Sequence, residues 1–301
     1  MSIAPIFASS CDLANRLPVM ISEFLDIEQC LKRRFREDSI TDILVASLLS
    51  LPGNDVVVLT PPEAKTGGDF DLVIVDPNTG DAVQFRIQAK RLSPHARDWM
   101  IGSYVELAHP NNSGIQSRTL VTGLGRQAIP TIPLYAFYNP AHVCAASGNT
   151  ISGVELASGW EVRERIKAIV KAKPKRLPYK RVGSLHPLFF PLSTILCPPR
   201  NTTHTSAIPL PSEARAAVVD AIEERTGLAG FGQTLAISEF AVPRLPRSHE
   251  VDAAPRRTRS ADRRGEMPTV IRDAIERRQE RVITAKIKRL RILLIADQSS
   301  E

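Results

Sequence analysis

Apolar residues recur at helical spacing from Ile21 to Phe35, until the polar run Arg36 to Ser39 interrupts them. Ser39 with Asp42 then forms a capping-box pattern. It precedes a second helix whose stripe is Ile40, Ile43, Leu44, Leu48 and Leu51, and Pro52 and Gly53 stop it. The pattern next changes period. Val56 to Thr60 is a short β-branched run, Phe70 to Asp76 a second, and Ala82 to Lys90 a third, each the length of a strand. Pro77 to Gly80, Pro-Asn-Thr-Gly, supplies turn chemistry between the last two and predicts an antiparallel hairpin. A helix around Gln116 to Gln127 and a strand from Ile132 to Asn139 complete an α-β-β-β-α-β order, an α/β fold with a mixed sheet flanked by helices.

The patterning weakens towards the end of the chain. Residues 242–267 are rich in Pro, Arg, Ser and Asp and read as an exposed linker after a first domain of residues 1–241. Beyond them, residues 268–301 read as an amphipathic segment. Pro268 opens a helix with Ile271, Ala274, Ile275 and Val282 at helical spacing, and the run Ile292 to Ile295 suits either a strand or a helix end.

Charge sharpens this picture. The 301 residues carry a net +7, and the stretch from Ala241 to Glu301, with 15 Lys and Arg against 9 Asp and Glu, accounts for +6 of it. A second basic cluster runs from Arg163 to Arg181, on and after an amphipathic helix beginning near Trp160. Such a surplus favours a polyanionic partner without specifying a fold. Aromatic residues are 5% of the chain, which argues against a stacking platform for single strands. No uninterrupted apolar run reaches the roughly 18 residues of a membrane span, and the N-terminus lacks the basic-then-apolar pattern of a secretory signal. Cys11, Cys30, Cys144 and Cys197 are widely spaced with no C-x-x-C, so neither a zinc site nor a disulfide framework is expected, and a reducing cytoplasm is the expected home.

The chemistry concentrates between Glu63 and Leu92. Period two along the third strand places Gln84, Arg86, Gln88 and Lys90 on one face and Val83, Phe85, Ile87 and Ala89 on the other. Asp69 and Asp71 stand at the start of the preceding strand, after Gly67 and Gly68, so the hairpin brings one of them beside Gln88 and Lys90. A carboxylate, an amide oxygen and a lysine suit metal-assisted hydrolysis of a phosphodiester. Oxygen donors hold a hard cation such as Mg²⁺ or Mn²⁺, the cation activates water, and the lysine steadies the developing charge. Glu63, in the loop before the second strand, and Glu37, at the start of the second helix, are further acids in reach of such a site. Taken singly, each has an ordinary explanation as a loop acid, a helix-start acid or a solvated strand face.

Glu37, the Gly-Gly-Asp entry at Asp69 and the strand-borne Gln88-Ala89-Lys90 together resemble the PD-(D/E)xK, or restriction-endonuclease-like, nuclease superfamily. The closer likeness is to its Q-x-K branch, related to Mrr-type enzymes, over roughly residues 30–140. The resemblance implies a restriction-endonuclease-like core. It also implies that Asp69 binds metal, that the Gln88 side chain and Ala89 carbonyl add ligands with help from Glu37, and that Lys90 positions the water. Asp71 competes with Asp69 for the metal, and Glu63 with Glu37 for the supporting role. Glutamine in place of an acid puts more of the metal affinity on Glu37 or Glu63. The expected substrate is nucleic acid, with double-stranded DNA preferred and a homodimer implied by two-strand cutting. Phosphate contacts are expected from Arg86, Arg91, Lys167, Lys171 and Lys173.

Other readings are weaker. Gly123-Leu-Gly125-Arg-Gln-Ala128 imitates a dinucleotide fingerprint, but Pro130 forbids the helix it would need. The six histidines form no H-E-x-x-H pair, and no G-x-S-x-G begins a serine triad. Two alternatives of other classes stand beside the nuclease. One is a catalytically inactive nucleic-acid-binding module of the same fold. The other is a regulatory or protein-interaction component of a defence or effector system.

Overall fold

Strands form where the β-branched runs lie, but their neighbours in the sheet are not those that chain order suggests. The computed structural model describes residues 4–28, 31, 35–61, 69–93, 99–108, 115–171, 180–197, 208–227 and 267–296; the side chains of residues 69, 99, 108, 115, 126 and 169–171 fall outside that description. Helix α1 spans Ser10–Ile27, eleven residues ahead of the expected start. Ser9 caps it by accepting from the Asp12 N–H, and Leu13, Leu17, Ile21 and Leu25 bury one face. Helix α2 spans Glu37–Leu49 and begins two residues before the expected cap, with no side-chain cap at Arg36. Strands β1 (Val56–Thr60), β2 (Asp69–Val75) and β3 (Ala82–Arg91) follow. The β2–β3 turn is held by Asp76, which accepts from the Asn78 N–H and the Thr79 hydroxyl, and Gly80 takes the positive φ that closes it.

Helix α3 (Ile115–Val121) is shorter than expected, because Gly123 at φ +73° breaks it. Strand β4 (Thr131–Tyr138) lies parallel to β3. Helix α4 (Ala141–Ala146) leads to β5 (Val154–Ser158), a strand that the sequence pattern did not signal. Its run Val-Glu-Leu-Ala-Ser is short and carries a buried acid. Helices α5 (Gly159–Lys171) and α6 (Val182–Leu185), the two-residue strand β6 (Phe190–Pro191), α7 (Ser193–Leu196) and α8 (Pro211–Thr226) follow. The chain ends with α9 (Thr269–Glu276), β7 (Val282–Thr284) and β8 (Leu290–Ile295). The run Ile292 to Ile295, open between strand and helix end, is therefore strand. The expected linker 242–267 lies outside the described residues apart from Met267.

The eight strands form one mixed sheet in the order β6-β5-β4-β3-β2-β8-β1-β7. The β2–β3 hairpin is antiparallel as expected, but β1 is not their neighbour: β8 lies between β1 and β2, antiparallel to the first and parallel to the second. The sheet extends beyond residues 1–241, since residues 282–295 supply two of its strands. One sheet face packs on α1, α2, α7 and α8 around Leu17, Leu44, Phe85, Val218 and Ile292. The opposite face carries two separate apolar clusters. One joins Tyr104, Tyr135, Phe137, Val162 and Ile166 beneath α3, α5 and α6; the other joins Val57, Val73, Ile271 and Leu293 beneath α9. The polar side of β3 crosses this face in the strip between those clusters.

The cysteine expectation also changes. Cys11 and Cys197 form a disulfide across 186 residues of sequence, tying the start of α1 to the end of α7. Helix–helix packing of α1 on α7 brings together two thiols that spacing alone does not connect. Among the described residues, no helix is long and apolar enough to cross a membrane.

Candidate functional site

Strand register determines which acid meets the glutamine. Asp69 is the direct partner of Gln88, and Asp71 of Arg86. All four positions share one face by period two, with Lys90 one further pair along β3. Gln88 and Lys90 are 2% and 4% exposed, so they do not belong to a solvated strand face. Two rows along the same face, the Gln84 Nε2 is buried without a partner among the described residues. Buried amides of this kind are costly unless something satisfies them.

Asp71 is fully occupied. Its carboxylate accepts from Arg86 Nε at 3.4 Å and from Arg291 Nη2 at 3.3 Å. The three side chains form one row, since Asp71 is in register with Arg86 on β3 and with Arg291 on β8. Two guanidinium groups on one carboxylate leave the row at a net +1 directly beneath the Asp69–Gln88 pair. Asp71 is thereby set in a structural ion cluster, while Asp69 is the acid in register with Gln88.

Lys90 reaches Glu37, the first residue of α2, with Nζ 3.1 Å from Oε2. The other oxygen of Glu37 accepts the Arg91 backbone N–H at 3.2 Å, so one carboxylate joins the head of α2 to the end of β3. Arg91 anchors this junction further: Nη2 donates to Glu28 Oε1 at 2.7 Å and Nη1 to the Phe35 carbonyl. Thr41 on α2 and Tyr138 on β4 share a hydrogen bond at 3.2 Å, and burial pushes the Tyr138 phenol above its ordinary range. The acid–lysine pair is therefore braced from two helices and two strands.

The remaining expected residues separate into groups. Arg86 and Arg91 are each 12% exposed and bound to acids, positions in which a guanidinium braces the sheet rather than facing solvent. Lys167 is exposed on α5 and pairs with Glu164. The Lys171 side chain, Lys173 and Glu63 lie outside the described residues. Three residues that the sequence reading missed join the site region: Glu28, Arg291 and Tyr138. A charge heading an apolar run, as Arg291 does in Leu-Arg-Ile-Leu-Leu-Ile, was the one available signal, since a buried charge demands a partner.

The donors suit a hard cation. Glu37 provides a carboxylate, Gln88 a buried amide and Ala89 a main-chain carbonyl, with Asp69 in register beside them; all would offer oxygen. Among the described residues, no three His, Cys, Asp or Glu side chains converge as a metal cluster. A cation would therefore draw on amide and carbonyl oxygen and on Asp69 together with Glu37.

On the same sheet face, one strand beyond β4 and in the row of Lys90 and Phe137, lies a second buried polar group. Glu155 on β5 accepts the Ser152 N–H at 2.6 Å, and its carboxyl is pushed up to about 7, mainly by burial. Tyr104 donates to Asn139, which donates to the Ser152 carbonyl; the nearby Cys144 thiol is pushed up to about 12, again mainly by burial.

A model of a family of unknown function, DUF6615, matches residues 10–301, and the chain belongs to that family. No curated protein and no solved structure matches it.

Proposed function

We propose that this member of DUF6615 is a metal-dependent nuclease with a restriction-endonuclease-like core, hydrolysing phosphodiester bonds of nucleic acid, with DNA as the preferred substrate. The observation that carries the reading is the convergence of three pieces of chain: Asp69 on β2 in register with Gln88 on β3, and Lys90, also on β3, 3.1 Å from Glu37 on α2, all at one end of the β2–β3 hairpin. A solvated strand face would leave Gln88 and Lys90 in water, yet both are buried.

Asp69, the Gln88 side chain, the Ala89 carbonyl and Glu37 would hold Mg²⁺ or Mn²⁺. When bound, the cation supplies Lewis acidity towards a phosphoryl oxygen and a water of lowered pKa. The chain's own part is positioning. Glu37 holds the Lys90 side chain in place, and Lys90 would donate to the water or to the developing negative charge. The Arg86–Asp71–Arg291 row fixes β2 against β3 and β8, so that Asp69 and Gln88 stay in register. A homodimer would let two such sites address both strands. One observation favours a second reading, a binding module without catalysis: Glu37 is the single carboxylate among the described side chains of the donor set.

The test is cleavage of supercoiled plasmid with Mg²⁺ or Mn²⁺ against EDTA, for wild type, Lys90→Ala and Glu37→Gln, with folding checked by circular dichroism. Nicking or linearisation that needs metal and Lys90 supports the nuclease. Metal-independent DNA binding with no product supports the binding module, and cleavage at the wild-type rate in both folded variants removes the site from this hairpin.

A further inference from the structure

The connection between β7 and β8 lies at the same end of the sheet as the candidate site, and topology alone places it there. Strand β8 runs parallel to β2 with Leu290 opposite Phe70, so the chain enters β8 beside Asp69. Strand β7 runs parallel to β1 with Thr284 opposite Thr60, so it leaves the sheet at that same end. Residues 285–289, Ala-Lys-Ile-Lys-Arg, bridge the two.

This connection is built rather than loose. The Ala285 N–H donates to the Thr60 carbonyl at 2.9 Å and the Ile287 N–H to the Ala285 carbonyl at 2.8 Å. Ala285 and Ile287 pack on the apolar cluster beneath α9, and the alternation turns Lys286 and Lys288 outwards, where both are exposed. Among the described residues no carboxylate pairs with either lysine. Within the sheet Arg86, Arg91 and Arg291 are spent on acids, whereas Lys286 and Lys288 are exposed with none among the described residues.

We infer that Lys286 and Lys288 form a phosphate-tracking wall that holds the nucleic-acid backbone beside the Asp69–Gln88–Lys90 site. The inference rests on the nuclease reading and adds the surface along which substrate lies. The connection runs from β8, two strand spacings or roughly 10 Å from β3, over β1 to β7, four spacings or roughly 20 Å away. That span corresponds to about three to six nucleotide rises along one strand. Two lysines here would hold phosphates a few nucleotides from the one beside Lys90, which positions the backbone without reading bases.

The experiment measures binding of a labelled 20-base-pair duplex by fluorescence anisotropy across a KCl series. It compares full-length wild type in EDTA and full-length Lys90→Ala in Mg²⁺, each with and without the pair Lys286→Gln and Lys288→Gln. Thermal unfolding confirms that these exposed changes leave the fold intact. The expected result is weaker binding and a salt slope, log K against log[KCl], shallower by nearly 2, since each lost phosphate contact removes about 0.9. An unchanged affinity and slope, in a protein whose wild type cleaves plasmid, overturns the wall and leaves the nuclease standing. A wild type that neither binds nor cleaves nucleic acid overturns both.

Discussion

Glu155 makes the stability of this protein depend on pH in a direction opposite to that of a paired carboxylate. Burial on β5 raises its carboxyl to about 7 from an ordinary 4.5, and the Ser152 hydrogen bond opposes that rise only in part. Because the folded state disfavours the charged form, the native protein retains the proton that the unfolded chain has already released. Stability is therefore undiminished below about pH 4.5, falls as pH rises from there, and carries the full penalty above about pH 7. A shift of roughly 2.5 units corresponds to about 3 kcal/mol. Glu155→Gln removes the charge while keeping an oxygen to accept from Ser152. For a chain of this size, 3 kcal/mol amounts to about 5 °C in Tm. Gln adds amide hydrogens that need partners, so the variant has a constant cost of about 1–3 kcal/mol. The decisive quantity is therefore the change with pH. Scanning calorimetry at pH 5 and pH 8 should show the difference in Tm between variant and wild type moving by about 4 °C in the variant's favour, part of the penalty being present already at pH 5. A difference that is the same at both pH values would refute the buried, uncompensated acid.

Two further predictions concern the joints of the fold. Arg291→Leu leaves the buried Asp71 with Arg86 alone and should cost about 2–3 kcal/mol in urea unfolding. Adding Asp71→Asn should recover part of that loss, whereas strictly additive costs would contradict the ion cluster. Reduction of the Cys11–Cys197 disulfide releases a loop spanning 186 residues. Chain entropy sets the loss at up to about 5 kcal/mol, which a Tm measured with and without phosphine reductant would read; identical values would deny the bond a role in stability.

Local chemistry determined a large part of this protein. β-Branched runs made β1, β2, β3 and β4 recognisable, because a pleated, buried surface suits those side chains whatever lies beyond them. Asp76 and the Pro-Asn-Thr-Gly turn made the β2–β3 hairpin readable, and the hairpin with period two was enough to bring Asp69 or Asp71 towards Gln88. Tertiary structure decided the rest. Strand pairing between segments some 200 residues apart is selected by the whole sheet, so no local pattern announced that β8 would part β1 from β2. That insertion brought Arg291 to Asp71, drew Asp71 into an ion cluster and left Asp69 in register with Gln88. Glu37 was visible as an acid at a helix start, but the packing of α2 against the end of β3 made it the partner of Lys90. The Cys11–Cys197 bond arose in the same way, from two helices meeting. Residue type and period determine elements and faces; which faces and charges meet is set by burial shared across the whole chain.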